Sequence, residues 1–514
     1  MIMKKQILFT LLSCLLSVSL TAADVSYVEN FSKVGNVATG TYTWIGDLCT
    51  WEISQTARRK QDTIHTATQK QAVWMSVSQS GAAKITTKDW EGGIKAVAFK
   101  YARFGSEKTA GRVLQLKVLA GTMENETGEF KNNAMKQGTN GVNSAHETYS
   151  YTFNNKTDAQ LSIENISSYT EDLTASGICR ILVGDITITP YLLYTQKEVT
   201  IGTKQRGYVN AELIDNTDGD AITYSSSNTT IATVDSQTGV VTPLAAGDVI
   251  IYAALAEGAK TQYTLHVMDG IVVENFSKVK QTSVASTDTW DGDISLWEHY
   301  NTRRGLNDTI KAQAVKRQQA TWFGQEGYVE SSSDFEGGVK NISFTWRQWS
   351  AKQEATTTKV VVTYGEIEKF NEVTELASNA NQFFNEDIDG ITNGKLKIQN
   401  LSYNTDDALV NNRIVIENIH ITPYLLYTTK EAILDTRYAT TYTNTDLINN
   451  TTGNPVEYTI SDNLIATINA ATGEVTPVQE GEVTITATWG AVTTSYTLQI
   501  LAQTETEASF AEAI

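Results

Sequence analysis

The sequence predicts an all-β protein made of a repeated pair of β-sandwich domains. Three observations support this prediction: helix periodicity is almost absent, short β-branched runs recur along the chain, and nearly the whole sequence is present twice. Residues 113–118, 360–362 and 483–485 are examples of these runs, and clusters of Gly, Asn, Asp and Thr separate them. Regularly spaced short strands with turn residues between them are typical of sandwiches and barrels.

The N-terminal segment is expected to be a cleaved signal peptide. Lys4 and Lys5 precede an apolar run over 7–20, and Ala22 and Ala23 supply small residues for cleavage. This pattern predicts export to the periplasm, the outer cell surface or the medium. No later segment approaches the length of a membrane-spanning helix, so none is expected in the mature chain.

The chain is acidic, with 40 Lys and Arg against 58 Asp and Glu and a formal net charge of −18. Removing the signal with its two lysines leaves 38 basic and 58 acidic residues, a net charge of −20. Nucleic acids and anionic membranes favour basic patches, so neither is expected as a partner. The hydrophobic content of 41% is enough for folded cores and argues against a disordered chain.

The duplication begins at VENFSK, which occurs at 28–33 and again at 273–278. Further motifs then recur in the same order in both copies. The matching pairs are DWEGGIK (89–95) with DFEGGVK (334–340), ITPYLLYT (188–195) with the same letters at 421–428, and TGVVTP (238–243) with TGEVTP (472–477). The two copies are therefore expected to share one architecture.

Each copy divides into a large and a small domain. The large domains, 24–195 and 270–428, carry nine of the ten tryptophans, and their length suits a jelly-roll β-sandwich of eight or more strands. The small domains, 196–269 and 429–502, are poor in aromatic residues and have the length of a small Ig-like β-sandwich. Residues 503–514 form the predicted tail.

The small domains carry a shared motif that resembles a known family. YSSSNTTIATVDSQTGVVTP at 224–243 matches YTISDNLIATINAATGEVTP at 458–477. The polar turn, the I-A-T strand and the T-G-x-V-T hairpin resemble the group 2 bacterial Ig-like domain of intimin- and invasin-type adhesins. One departure is Tyr224 or Tyr458, where many members have Trp. The resemblance implies spacers that project a neighbouring domain and have no active site.

The large domains resemble the galactose-binding-like jelly rolls of secreted carbohydrate-active proteins. The shared elements are an opening E-N-F strand, a W…RR…D loop, an E-G-G-I/V-K hairpin and a closing D/N-I-x-I-T strand. The resemblance implies a glycan or another cell-surface ligand as partner, and no required cofactor. It also implies a candidate structural calcium site between the first and last strands, formed by Glu29 with Asp185, and by Glu274 with Asn418 or Glu417.

Repeated tryptophans are candidate sugar contacts. A flat indole can stack on the apolar face of a sugar ring, and Trp51 and Trp74 in the first copy match Trp297 and Trp322 in the second. The alternative is that these side chains fill the sandwich core, where large aromatic residues usually lie. Both interpretations remain open at this point.

A repeated polar loop supplies further candidate ligand contacts. The guanidinium group of arginine donates paired hydrogen bonds to hydroxyl or carboxylate oxygens. The alternative is an internal Arg–Asp pair that only orders the loop. The candidates are Arg58, Arg59 and Asp62 in the first copy, and Arg303, Arg304 and Asp308 in the second.

The mature cysteines, Cys49 and Cys179, both belong to the first copy, and Ser295 and Asn412 take their places in the second. Their joint absence from the second copy predicts one disulfide in an oxidising compartment. Two unrelated buried thiols are the alternative.

The sequence offers little support for catalysis. The five histidines do not fall at matched positions, and no nucleophile, zinc or phosphate-binding motif is present. We therefore expect a non-enzymatic, exported binding protein. A structural adhesin without a sugar site is the first alternative, and a polysaccharide-degrading enzyme with two converging carboxylates is the second.

Overall fold

The computed structural model confirms the all-β prediction, because its described residues form strands, turns and loops without a helix. The described residues are 24, 26–29, 37–45, 49–58, 63–64, 72–78, 81–88, 90–103, 112–127, 142–143, 147–169, 179–276, 279, 286–305, 320–348, 356–374, 381–404 and 413–501. The predicted signal peptide and the predicted tail lie outside them. This part of the chain contains no helix with the length and apolarity needed to cross a membrane.

The first large domain is a sandwich whose main sheet follows the strand order β11-β10-β14-β7-β3-β5-β16-β8-β13, with β1, β2 and β6 attached to it. Its strands are β1 (Tyr27–Glu29), β2 (Val37–Ile45), β3 (Thr50–Arg58), β4 (Thr63–Ile64), β5 (Ala72–Ser78), β6 (Gly81–Ala82), β7 (Lys84–Thr87), β8 (Ile94–Arg103), β9 (Arg112–Val113), β10 (Leu116–Ala120), β11 (Met123–Glu126), β12 (Val142–Asn143), β13 (Glu147–Asn155), β14 (Leu161–Asn165), β15 (Ser168–Tyr169) and β16 (Cys179–Thr189).

The second large domain repeats this plan with the order β31-β30-β33-β28-β35-β29-β32 and four attached strands. Its strands are β25 (Val272–Glu274), β26 (Ser286–Asp291), β27 (Leu296–Gly305), β28 (Ala320–Ser331), β29 (Val339–Gln348), β30 (Thr356–Tyr364), β31 (Ile367–Thr374), β32 (Gln382–Gly390), β33 (Leu396–Asn400), β34 (Tyr403–Asn404) and β35 (Ile414–Thr422).

Each small domain contains a four-stranded sheet and two short two-stranded sheets. In the first, the strands are β17 (Leu192–Tyr194), β18 (Glu198–Gly202), β19 (Leu213–Asp215), β20 (Thr223–Ser226), β21 (Ala232–Val234), β22 (Val241–Pro243), β23 (Gly247–Ala254) and β24 (Lys260–Met268). In the second, they are β36 (Leu425–Tyr427), β37 (Glu431–Asp435), β38 (Leu447–Asn449), β39 (Glu457–Ile460), β40 (Ala466–Ile468), β41 (Val475–Pro477), β42 (Gly481–Trp489) and β43 (Val492–Leu501).

The first small domain begins earlier than the expected boundary at residue 196. Strand β17 pairs with β19 of the small domain rather than with a strand of the large one. Strand β36 pairs with β38 in the same way. The repeated ITPYLLYT motif thus contains both the end of a large domain and the start of a small one, and its sequence has no break between them.

The two large domains bury the same cross-strand tryptophan pair. Trp44 lies opposite Trp51 between β2 and β3, and Trp290 lies opposite Trp297 between β26 and β27. All four side chains are buried within the hydrophobic cores of their domains. Large aromatic side chains supply much of the burial that stabilises a sandwich, so the repeated tryptophans account for the shared core of the two copies.

The Glu-Gly-Gly segments attach each large domain to the small domain that follows it. Gly92 and Gly337 both have φ near +83°, a conformation that favours glycine. A Cβ atom would lie 1.6 Å from the carbonyl oxygen of Leu192 at the first position and 1.9 Å from that of Leu425 at the second. The segments are therefore close backbone contacts between domains as well as turns.

The glutamate of each Glu-Gly-Gly segment forms an ion pair across the same junction. Glu91 pairs with Lys197, and Glu336 pairs with Lys430 at 2.6 Å. Glu336 also accepts a hydrogen bond of 3.2 Å from the backbone amide of Ser495. Each large domain is thus fixed to its small domain by backbone contact and by charge.

The first small domain also contacts both domains of the second copy. The Arg206 guanidinium donates to both carboxylate oxygens of Asp446, at 3.1 and 2.8 Å. Gln205 exchanges two hydrogen bonds of 3.0 Å with the backbone of Val273. The first small domain, the second large domain and the second small domain therefore meet at one three-domain junction.

Candidate functional site

Two of the predicted sugar contacts are core residues, and that prediction is wrong for them. Trp51 and Trp297 are both 0% exposed. Their indole N–H groups donate to buried carboxylates, Trp51 to Glu29 at 3.2 Å and Trp297 to Glu274 at 2.8 Å. A side chain that is enclosed on all sides and partnered at its polar end cannot stack on a ligand from solvent.

The remaining predicted ligand contacts stay predictions. Arg303 is half-buried and lies opposite Trp322 in the register of β27 and β28. The other candidates have side chains outside the described residues: Arg58, Arg59, Asp62, Trp74, Arg304, Asp308 and Trp322. The predicted disulfide also stays a prediction, because Cys49 is buried but the Cys179 side chain lies outside the described residues.

Glu274, a predicted calcium ligand, is a buried hydrogen-bond acceptor for the protein itself. One carboxylate oxygen accepts from the amides of Phe276 (2.6 Å) and Asp293 (2.9 Å), and the other from the amide of Ile294 (3.3 Å) and the indole of Trp297 (2.8 Å). These four donors occupy the four lone-pair positions of a carboxylate. Burial, and then the charge of Asp293, raises the pKa of Glu274 to about 8 despite these hydrogen bonds.

The calcium prediction has no further support from the geometry. Glu29, the equivalent of Glu274, also accepts from a buried tryptophan. Asn418 is half-buried with φ of +54°, and the side chains of Asp185 and Glu417 lie outside the described residues. Among the residues that the structure describes, no group of three or more His, Cys, Asp or Glu could hold a metal ion. A structural calcium therefore stays a prediction.

The outer face of the second large domain carries a row of aromatic side chains. Tyr300 on β27 lies opposite Tyr328 on β28, followed by Gln399 on β33, Val361 on β30 and Phe370 on β31. We call these five residues the aromatic row. Tyr300 is 45% exposed and Phe370 is 50% exposed, so the row presents large apolar surface to solvent at both ends.

The tyrosines and lysines of this face are in direct contact. The rings of Tyr300 and Tyr328 have centroids 5.9 Å apart and are tilted by 30°. The Lys397 ammonium lies 4.0 Å from the Tyr328 ring centroid, and the Lys359 ammonium lies 4.1 Å from that of Phe370. In a cation–π contact the ammonium lies over the face of the ring, so these lysines place a hydrogen-bond donor over Tyr328 and over Phe370.

A parallel row of polar residues runs beside the aromatic row. In register across the same five strands are Glu298, Glu330, Lys397, Thr363 and Glu368. Successive side chains of a strand point to opposite faces, and the residues between the two rows, such as His299, Val329 and Ile398, are buried. The two rows therefore lie on the side of the sheet opposite these core residues, and Val361, which is 2% exposed, is the buried member of the aromatic row.

The first large domain has a charged row at the equivalent place. Ser54 follows Trp51 by three residues, as Tyr300 follows Trp297. From Ser54 the register continues through Lys84, Glu164, Lys117 and Glu126. Lys117 of this row also forms an ion pair with Glu124, which lies outside the row. The two copies thus share a core but differ in the surface that they present.

Sequence reasoning missed the aromatic row because it searched for aromatic residues present in both copies. The two tyrosines and Phe370 are aromatic only in the second copy. A usable signal was the alternation in LWEHYN (296–301) and IEKFNEVT (367–374), which places Tyr300 and Phe370 out of phase with the core residues of their strands. The exposed aromatic residues thus lie at positions where the two copies differ in sequence, and not where they match.

A family comparison identifies the small domains. Residues 183–264 and 426–500 match the model of the bacterial Ig-like domain (group 2), which confirms the resemblance predicted for these two regions. The matches cover less than half of the chain. A search of curated protein sequences finds no significant match.

Several solved structures align with parts of the chain at low similarity. ZmpB from Clostridium perfringens, a catalytic domain with CBM51-1 and CBM51-2 domains, is 12% identical over 78% of this chain and 39% of that chain, with a TM-score of 0.25. TmCBM61 in complex with β-1,4-galactotriose is 13% identical over 25% of this chain and 88% of its own, with a TM-score of 0.19. A variant of the family 29 carbohydrate-binding module CBM29-2 is 18% identical over 29% and 90%, with a TM-score of 0.16.

This chain spans only 39% of the length of ZmpB in that alignment.

Proposed function

We propose that this chain is an exported, non-enzymatic binding protein whose second large domain holds a glycan on the aromatic row. The observation that carries the proposal is the row itself. Tyr300, Tyr328 and Phe370 face outward in one line across a sheet, with polar residues beside them. Aromatic rings supply contact area for the apolar face of a sugar, and adjacent polar groups supply its hydrogen bonds.

The length of the row favours an extended glycan chain over a single sugar. Neighbouring strands lie about 4.8 Å apart, so four steps from Tyr300 to Phe370 span about 19 Å. The face is a sheet surface rather than an enclosed pocket, which suits a ligand that lies along it. The side chains of Lys397 and Gln399 lie within this span and provide a donor and an amide for hydroxyl groups.

The charge around the row favours a neutral glycan. Glu298, Glu330, Glu368 and Glu372 supply four carboxylates on this face, against the two ammonium groups of Lys359 and Lys397. A polyanionic chain would meet net repulsion here, and the formal charge of the whole protein, −18, acts in the same direction.

The test is a glycan-array screen of the mature chain, followed by calorimetry with the best soluble oligosaccharide. The Tyr300→Ala/Tyr328→Ala double variant is expected to lose binding at least tenfold, which corresponds to about 1.4 kcal/mol. Retained affinity in that variant would overturn the proposed site. An absence of glycan binding by the folded wild-type chain would overturn the proposed function.

A structural adhesin is the second candidate function. The observation that favours it is the three-domain junction, where Arg206 and Gln205 fix the first small domain against the second copy. A rigid series of domains suits a surface protein that holds its outermost part at a set distance. The glycan screen separates the two candidates, because a purely structural role requires no soluble ligand.

A further inference from the structure

The three-domain junction encloses a cleft that is separate from the aromatic row. Its volume is about 220 Å³. The first small domain contributes Gln205 and Arg206, and the second large domain contributes Asp293 to Ser295 and Ser333 to Glu336. The start of the second small domain closes it with residues including Tyr427 and Lys430. Ligand sites occur preferentially at domain interfaces of this kind.

The cleft combines an apolar floor with a polar rim. Val272, Phe335 and Leu426 line it and are 1%, 5% and 7% exposed, so they form a buried apolar surface. Arg206, Asp334 and other charged groups supply donors and acceptors around it. The accessible lining of the cleft is therefore mainly polar, with a smaller apolar part formed by these three residues.

The positive charges of the cleft are already neutralised by the protein. Arg206 is paired with Asp446, and Lys430 is paired with Glu336. The carboxylate of Asp334 lines the cleft, is exposed, and has no hydrogen-bond or ion-pair partner within the described part of the chain. An anionic ligand would therefore meet net repulsion, whereas a hydroxyl group could donate to Asp334 without displacing an existing contact.

The cleft depends on a domain that precedes the second copy. Gln205 and Arg206 belong to the first small domain and reach the cleft because that domain packs against the second large domain. Residues 89–93 of the first copy match 334–338 in sequence. In the second copy, residues 334–336 line the cleft together with Gln205 and Arg206 of the preceding small domain. Asp89 occupies the matched sequence position in the first copy and serves as a control.

We infer that this junction cleft binds a single neutral sugar unit, at a site distinct from the aromatic row. Sugar hydroxyls both donate and accept, which matches a rim of carboxylate, guanidinium and ammonium groups. The ring carbons would face the small apolar part of the lining that Val272, Phe335 and Leu426 supply. The volume of about 220 Å³ is enough for a single ring, whereas the aromatic row extends across five strands, so the two sites suit ligands of different size.

The test uses the full mature chain titrated with D-galactose, D-glucose and N-acetyl-D-glucosamine, observed by saturation-transfer NMR and calorimetry. Saturable binding of at least one of these sugars is expected, with at least a fivefold loss in Asp334→Ala. The Asp89→Ala variant is expected to bind as the wild type does. The Ser333→Trp variant fills the cleft from its exposed rim and is expected to abolish binding.

The same titration in Tyr300→Ala/Tyr328→Ala distinguishes this site from the aromatic row. Unchanged monosaccharide affinity in that variant is expected, whatever the fate of the extended glycan. The inference is overturned if none of the three sugars binds saturably, or if Asp334→Ala and Ser333→Trp both bind normally. It is also overturned if Asp89→Ala weakens binding as much as Asp334→Ala. Circular dichroism of each variant verifies the fold.

Discussion

At the scale of single residues, the most informative contact is the one between a buried carboxylate and a buried indole. Glu29 accepts from Trp51, and Glu274 accepts from Trp297. In the second copy the same carboxylate also holds the amides of Asp293 and Ile294, which orders the loop that lines the junction cleft. The glutamate of the repeated E-N-F motif is therefore a structural acceptor that links the first strand to the core.

Replacing this acceptor should destabilise the second large domain. Glu274→Gln exchanges one carboxylate oxygen for an amide group that cannot accept, leaving buried donors unsatisfied at a cost of about 1–3 kcal/mol. The expected result is a fall of roughly 2–4 °C in the melting temperature per kcal/mol, measured by calorimetry at pH 9, where Glu274 is ionised because its pKa is raised to about 8. Glu298→Gln, which changes an exposed glutamate on β27, is the control. A Glu274→Gln variant as stable as the wild type would contradict this role.

The tryptophans show how far sequence reasoning reaches at this scale. Their repetition correctly indicated shared importance, but stacking on a sugar and filling a core require the same residue type. Only the position of the side chain relative to the sheet separates the two, and this depends on strand pairings that the sequence does not contain. Trp51 and Trp297 are buried in the structure, so they belong to the core.

At the scale of elements, register determines what each large domain presents to solvent. The aromatic row joins Tyr300 to Gln399 and then to Phe370 across five strands. The strands themselves could be expected from their β-branched runs. Their order could not, because the pairings join segments far apart in the chain and follow the packing of the whole sandwich. The face was therefore recognisable only once the sheet was assembled.

The Glu-Gly-Gly segment offers a test of how elements of neighbouring domains pack. Gly337→Ala places a Cβ atom 1.9 Å from the carbonyl oxygen of Leu425 and adds the strain of a positive φ. Gly365→Ala has φ of +58° with nothing within 4 Å of its Cβ, so it reports the strain alone, about 1–2 kcal/mol. Gly337→Ala should lower the free energy of unfolding by at least about 2 kcal/mol more than Gly365→Ala does, as measured by denaturant unfolding. Equal losses of unfolding free energy in the two variants would contradict a tight backbone contact between Gly337 and Leu425.

At the scale of the whole molecule, the order large, small, large, small was readable from the duplication and the Ig-like motif. The three-domain junction was not. It depends on Gln205, Arg206 and Asp446, and the sequence shows no pattern that brings residues 206 and 446 together. The small domains therefore act as fixed connections at this junction, where the sequence alone suggested simple spacers.

The Arg206–Asp446 pair should make the junction sensitive to acid. Burial alone would raise the pKa of Asp446, but hydrogen bonds from Arg206 and Thr429 and nearby positive charge lower it below its ordinary value. The pair therefore contributes stability above the ordinary carboxyl pKa of about 3.9, and this contribution is lost as pH falls through the lowered value.

Arg206→Ala should destabilise the junction at pH 7 by up to about 1 kcal/mol, because the pair is only partly buried. The difference in stability between this variant and the wild type should shrink as the pH is lowered below about 4, as measured by calorimetry at pH 7 and pH 3. Arg437→Ala is the control, since Arg437 pairs with Asp435 two residues away and not across domains. A difference that is the same at pH 7 and pH 3 would contradict the assignment to Asp446.

The central claim is that the second large domain holds a glycan on its aromatic row and that the first does not hold it at the equivalent place. The most direct measurement is the affinity of the mature chain, by calorimetry, for the oligosaccharide selected on the array, in two matched double variants. Tyr300→Ala/Tyr328→Ala should weaken binding at least tenfold, whereas Ser54→Ala/Lys84→Ala should leave it within twofold of wild type. Equal affinities in both variants, or the larger loss in the first domain, would contradict the account.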